Sequence, residues 1–225
     1  MARHCVVLCV VAGGCASGAG VHHVGVMREV MREGRTEARA ALADHCTPGT
    51  FGVGALTGLQ GEVTIDDGVC WVAVDGPAAV AAPPDATATL LTTAVVPRWR
   101  QLWIADPCDF DGIEAAIERA CGGTVADGRV VPFVLDGRGR VALHVVRGAC
   151  PHGEVPAGHE PARWSGDDTA LHLVGFFVRG REGVMTHMGT SLHVHAFATD
   201  AAGVRVMGHV DALQLDGGIS LCVPQ

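Results

Sequence analysis

His193-Val194-His195 is the first place in the chain where residue type and spacing suggest chemistry. In a β-strand, residues two apart point to the same side, so both imidazoles share a face. Ala201-Ala202-Gly203 reads as a three-residue hairpin loop. Pairing across it sets residue 200 opposite 204, His195 opposite His209 and His193 opposite Asp211. Directly opposed residues share a face, so His193, His195 and His209 converge. Three imidazoles hold a metal ion with a coordination position left open, as catalytic zinc requires; structural zinc is usually closed by four ligands. Copper, iron and manganese also accept three nitrogens. Asp211 stands where it can accept a hydrogen bond from an imidazole and orient it. A lone H-x-H pair is more often the polar face of an exposed strand. The third histidine at the paired position reverses that weighting.

Other titratable residues sit in weaker contexts. Glu62 follows Gly58-Leu-Gln-Gly61 at the start of a strand and by itself reads as a surface carboxylate. His144 lies in a strand expected over 140–146, and Arg147 just after it, where an arginine is more often a solvated strand end than a substrate clamp. His187, six residues before His193, reads as a loop histidine. His152 and Glu154 lack a defined ligand spacing and stay outside the metal set.

The elements that position these groups are mostly β. Apolar spacing predicts helices over Val24–Glu33 and Thr36–Asp44, broken at Gly34, with Thr36 as an N-cap. From Thr50 the texture turns to glycine-punctuated β structure. Glu62–Ile65 and Val69–Val74 flank Asp66-Asp67-Gly68, a hairpin signal. Residues 77–84 read as a loop and Ala88–Val95 as a strand. A third helix is expected over Asp111–Cys121, then strands over Val130–Leu135 and Arg140–Val146 around Asp136-Gly137-Arg138-Gly139. Helix followed by hairpin thus occurs twice, pointing to two related halves. Residues 150–168 read as a long surface loop, and strands follow over 170–178, 191–199, 204–215 and 219–223. The expected class is α+β: two β-rich halves, 21–125 and 126–225, with mixed or antiparallel sheets, a few packed helices and the metal hairpin in the second half.

Composition narrows the function classes. The 225 residues are 48% hydrophobic and 18% charged, enough for a real core. A net charge of −8 argues against nucleic acid as a partner. No apolar run reaches the roughly 18 residues of a spanning helix. The chain has no Lys, Tyr or Asn, which excludes Schiff-base lysine and tyrosine acid chemistry. Residues 1–20 read as an export signal: Arg3, an apolar run from Cys5 to Ala12, then small residues. Val11–Cys15 resembles a lipobox with Cys15 as the acylated residue, although Ala12 replaces the usual leucine. Export, whether periplasmic, secreted or lipid-anchored, is the expectation; a cytoplasmic protein with a buried first strand is the alternative. Beyond the signal, Cys46, Cys70, Cys108, Cys121, Cys150 and Cys222 are even in number and permit disulfides. They form no C-x-x-C pair and read mainly as buried small hydrophobes.

Taken together, these motifs resemble the acetolactate decarboxylase family. Gly49-Thr-Phe-Gly-Val-Gly-Ala-Leu-Thr-Gly-Leu-Gln-Gly-Glu-Val63 followed by Asp67-Gly68 is similar to its G-T-F … L-x-G-E … D-G segment. Leu173-Val-Gly-Phe-Phe177 is similar to its L-V-G-F strand. Gly189–His195 and Gly208-His-Val-Asp211 are similar to its metal hairpin, with a longer connecting loop. The resemblance implies decarboxylation of 2-acetolactate, a 2-hydroxy-3-oxo acid, to acetoin, and a homodimer. It assigns a catalytic zinc to His193, His195 and His209, and a proton-transfer role to Glu62. Zinc would then chelate the substrate and stabilise the enediolate left when CO2 departs. The family's substrate-binding arginine falls at His144, with Arg147 as a nearby substitute. Its C-terminal tail carries a second glutamate, and this sequence ends at Gln225, before such a tail. The alternative is an exported metal-binding protein, or a metal enzyme acting on another substrate, that keeps the three histidines.

Overall fold

Stretches rich in valine, threonine and glycine pair into two antiparallel sheets in the computed structural model, which describes residues 20–148, 155 and 157–225. Residues 1–19 of the expected export signal, Cys15 among them, and Cys150, His152 and Glu154, lie outside the described residues.

The first sheet holds β1 (Gly20–Val24), β2 (Ala40–Ala41), β3 (Thr50–Leu56), β4 (Glu62–Asp66), β5 (Val69–Ala73), β6 (Val80–Ala81) and β7 (Thr87–Val95). Its order is β1-β7-β3-β4-β5-β6, with β2 also on β7. The second sheet holds β8 (Trp99–Ile104), β9 (Val130–Val145), β10 (Ala162–Val178), β11 (Leu192–Thr199), β12 (Arg205–Leu215) and β13 (Ile219–Pro224), in the order β10-β11-β12-β9-β13-β8. β9 also pairs with β10, so β9, β10, β11 and β12 close a ring. Two α-helices complete the described residues: α1 (Met27–Glu33) and α2 (Phe110–Ala120). No described helix is long and apolar enough to cross a membrane.

The expected β4–β5 hairpin forms. Asp66 pairs with Val69, and Asp67 and Gly68 take φ of 47° and 80°, the two positive values of a tight primed turn. α2 forms as well. Asp109 Oδ1 accepts from Gly112 N–H (3.1 Å) at its start. Its Ile113 and Ile117 enter a core that contains Phe133, Leu143, Phe177 and Leu221.

Several expectations are corrected. The helix over Thr36–Asp44 is absent: Ala40–Ala41 is strand β2 and Leu42–His45 a single 3-10 turn. The edge of β7 claims this segment, since Arg39 N–H donates to Ala88 O and Leu42 N–H to Ala86 O. Tertiary pairing overrides a modest helical preference here. Residues 20–24 likewise pair with β7 as β1, so the first helix starts at Met27 rather than Val24. Asp136-Gly137-Arg138-Gly139 is not a turn. It runs straight through β9, paired residue for residue with Thr169–His172 of β10. The helix-plus-hairpin repeat therefore does not exist. The expected loop over 150–168 ends early, because Ala162 already pairs with Val145. The chain changes sheets between Val95 and Trp99, so β8 and α2 go with the second sheet. Cys46 and Cys70 are not simply buried hydrophobes but form a disulfide.

Side chains from both sheets share a core in which Phe51, Val53 and Ala94 meet Val134, Val174 and Phe176. Backbone bonds also cross: Ala79 N–H donates to Arg205 O (2.9 Å) and Met207 N–H to Pro77 O (2.7 Å). The β11–β12 hairpin of the second sheet is thereby held against the segment between β5 and β6 of the first.

Candidate metal centre

The hairpin β11–β12 builds the centre. Asp200 Oδ1 closes its loop by accepting from Ala202 N–H (2.9 Å) and Val204 N–H (2.8 Å). The ladder runs from Thr199–Arg205 to His195–His209, the expected register. It stops there, and the expected pairing of His193 with Asp211 does not form. Pairing of β12 with β9 slips between Val210 and Ala212, so Asp211 sits at a bulge. Its carboxylate leaves the hairpin face and accepts from His144 Nδ1–H (2.7 Å) and from Arg163 Nη1 (2.8 Å). Asp211 thus orients His144 rather than one of the three expected ligands. Gly208 lets β12 approach β9 at this point: a Cβ there would lie 2.6 Å from His144 O.

His193, His195 and His209 each offer a ligand atom, and these atoms all lie within 4.8 Å of one another. Their ring centroids are 5.3, 5.3 and 5.6 Å apart. Three imidazoles on a tetrahedral ion with metal–nitrogen bonds of about 2.05 Å would have centroids ~5.2 Å apart. His195 Nδ1 shares a hydrogen bond with Thr64 Oγ1 (3.0 Å) of β4, which leaves Nε2 as its other ring nitrogen. His193 Nδ1 and His195 Nε2 are buried and, among the described residues, have no hydrogen-bond partner. Buried nitrogens in that condition call for an explanation, and a cation is the one their chemistry suits. Burial is the main force holding all three imidazoles neutral, reinforced by the neighbouring imidazoles: His195 is pushed down to about 3, and His193 and His209 well below the ordinary value. Neutral imidazole is the ligating form. The residues present therefore fit a metal ion.

A small, partly open chamber with about 10 Å³ of free space, roughly room for one water, adjoins the three rings. Met27 and Met31 of α1, Gly54 and Ala55 of β3, and Leu90 of β7 form its apolar walls; Glu62, His144 and His187 are its other titratable residues. Glu62 is no surface carboxylate. It is 4% exposed, accepts from Val146 N–H through Oε1 (3.2 Å), and places Oε2 3.5 Å from His195 Nε2. Burial pushes its carboxyl up to about 7, against the pull of His144 and the Val146 N–H. His144 is 2% exposed, with its ring 4.9 Å from that of His209. Arg147 lies elsewhere: its Nε stands 3.9 Å from Asp75 Oδ1, and it does not line the chamber. His187 is the residue that sequence reasoning missed. It does sit in a loop, as expected, but the loop folds its ring to 4.9 Å from His209 and 6.4 Å from His193. The available signal was a histidine close before the H-x-H strand.

No protein-family model matches the chain, and no curated protein matches it in sequence. Solved structures do match. An alpha-acetolactate decarboxylase from Bacillus subtilis strain 168 superposes with a TM-score of 0.69 at 16% identity, covering 91% of this chain and 85% of its own. A Staphylococcus aureus protein of unknown function, described as similar to alpha-acetolactate decarboxylase, gives 0.66 at 16% identity, covering 90% and 84%. Acetolactate decarboxylase from Bacillus subtilis subspecies spizizenii gives 0.69 at 15% identity, covering 91% and 85%. At such identities the likeness is one of fold, and it spans nearly the whole chain.

Proposed function

We propose that this protein is a zinc-dependent decarboxylase that converts 2-acetolactate, or a close 2-hydroxy-3-oxo acid, to acetoin or its analogue. The observation that carries the reading is the buried Glu62 carboxylate beside a three-histidine set, at a small, partly open chamber within a fold like that of acetolactate decarboxylase. His193, His195 and His209 would hold the zinc. When bound, zinc would supply Lewis-acid stabilisation of the negative charge that develops on the substrate's oxygens.

The chain's own groups do the rest. Decarboxylation breaks one C–C bond, leaves its electron pair with the organic fragment, and ends when a proton takes the place of the carboxyl group. Glu62, lodged in the chamber wall, holds or moves that proton. His144 has Nδ1 tied to Asp211, which leaves Nε2 as its atom for the substrate, in the role the resemblance gives to an arginine. Met27, Met31 and Leu90 keep water away and limit the substrate to a few carbons. Arg147 has no part in this scheme. An exported location is proposed too, and the Cys46–Cys70 disulfide supports it.

The test is acetoin formation from racemic 2-acetolactate by the wild-type chain and by His195→Ala, with metal content measured on the same samples. The proposal expects acetoin from the wild type alone, with about one zinc per chain. Zinc bound without turnover would favour the metal-binding alternative.

A further inference from the structure

His187 is the one chamber-lining imidazole near the three-histidine set that does not come from a strand. It is half-buried, and the segment from Arg181 to Thr190 carries it. That segment is built rather than loose. Gly183 N–H donates to Thr186 O (2.8 Å) and Thr186 Oγ1 to Thr190 O (2.7 Å). Its front half is tied to the start of α1, through Met27 N–H to Val184 O (2.9 Å) and Arg28 N–H to Gly183 O (2.8 Å). Its tip is open to solvent at Met188, which is 65% exposed.

The distances point one way. The ring of His187 is 4.9 Å from His209, inside the 5.3–5.6 Å spacing of the three-histidine set itself. It is 6.4 Å from His193, roughly an ångström beyond the ~5.2 Å that shared tetrahedral ligation would require. His144 is equally near His209, but its Nδ1 is committed to Asp211 and its backbone to the middle of the second sheet. A short inward shift at the solvent-edged tip of the loop would close the gap for His187, whereas the strand histidines are fixed by their ladders.

We propose that His187 is a fourth, exchangeable imidazole ligand of the same metal ion, delivered by the 181–190 loop. Four imidazoles close the coordination shell; withdrawal of His187 reopens the one position a substrate oxygen needs. The proposal rests on the three-histidine reading of the preceding subsection. It adds that the open position is made by ligand exchange, coupled through the loop to α1 and hence to the chamber wall formed by Met27 and Met31.

The experiment compares wild type with His187→Ala. Zinc affinity is measured by competition with a chromophoric chelator, and the cobalt-loaded chains are compared by visible absorption, each with and without added imidazole. The expected result is a zinc Kd raised by about tenfold or more in the variant, a changed cobalt spectrum, and recovery of both when free imidazole is supplied. A Kd within twofold of wild type and an unchanged spectrum would overturn the assignment. So would a weakened affinity that imidazole does not restore, which marks a purely structural residue. A wild-type chain that takes up neither zinc nor cobalt would overturn the three-histidine reading itself, and this inference with it.

Discussion

Glu62 combines three properties at one position: near-complete burial, a hydrogen bond from Val146 N–H, and a carboxylate oxygen 3.5 Å from His195 Nε2. Glu62→Gln keeps the shape and the bond to Val146 but removes the proton acceptor. It is expected to lower kcat by roughly 10²- to 10⁴-fold, the range of a lost acid–base group, with zinc content unchanged by elemental analysis. His209→Ala should instead lose the metal, and activity with it. A Glu62→Gln chain of wild-type rate would remove Glu62 from the chemistry. The three histidines were legible in the sequence because strand alternation and hairpin register are local rules. Glu62 alone was not, because its burial comes from the second sheet closing over β4. His187 was not, because a loop without periodicity gives no clue to where it folds.

The bulge at Asp211 and the glycine at 208 are features of β12 that set the site rather than line it. Gly208 allows the close approach to β9 that brings His144 beside His209, so Gly208→Ala forces a Cβ into His144 O. A loss of about 1–3 kcal/mol is expected from such overpacking, read as a lower urea midpoint at constant m-value, together with weaker zinc retention. A midpoint equal to wild type would mean that β12 has room to spare there. Legibility among the elements follows the range of their interactions. The β4–β5 turn, α2 and the β11–β12 hairpin are closed by residues a few positions apart, and all three were readable, although the Asp109 cap of α2 was not read. The segment 136–139 has the composition of a turn but extends as strand, because a partner on β10 faces every one of its residues. Ala40–Ala41 became strand for the same reason, at the edge of β7.

Across the whole molecule, the joint between the sheets includes an ionisable clasp away from the three-histidine set. His172 Nδ1 bonds Asp136 Oδ1 (2.7 Å) on the second sheet, and its Nε2 bonds Asp66 Oδ1 (3.2 Å) on the first. Burial opposes the charge on His172, but the two carboxylates outweigh it and raise the group to about 9. Arg205, stacked on Trp71 and Phe197, also faces Asp66 at 3.8 Å. A raised folded-state value stabilises the fold fully below the unfolded value near 6.5, and the benefit is lost as pH climbs through about 9. The Tm gap between wild type and His172→Gln is therefore expected to be widest near pH 6 and to close by about pH 10; a gap that is flat with pH would show that the clasp carries no charge. Reduction of Cys46–Cys70, a link across 24 positions of sequence, should cost about 2–4 kcal/mol in thermal or denaturant unfolding. The two-sheet α+β architecture was legible from strand signals, and the way the sheets meet was not, since no local pattern encodes a contact such as Asp66 with His172. The most direct test of the central claim is a zinc titration of the metal-stripped chain in 2-acetolactate, following acetoin and bound zinc together. The three-histidine decarboxylase predicts acetoin formation that rises linearly and saturates at about one zinc per chain. Acetoin produced without zinc, or a chain filled with zinc that produces none, would contradict it.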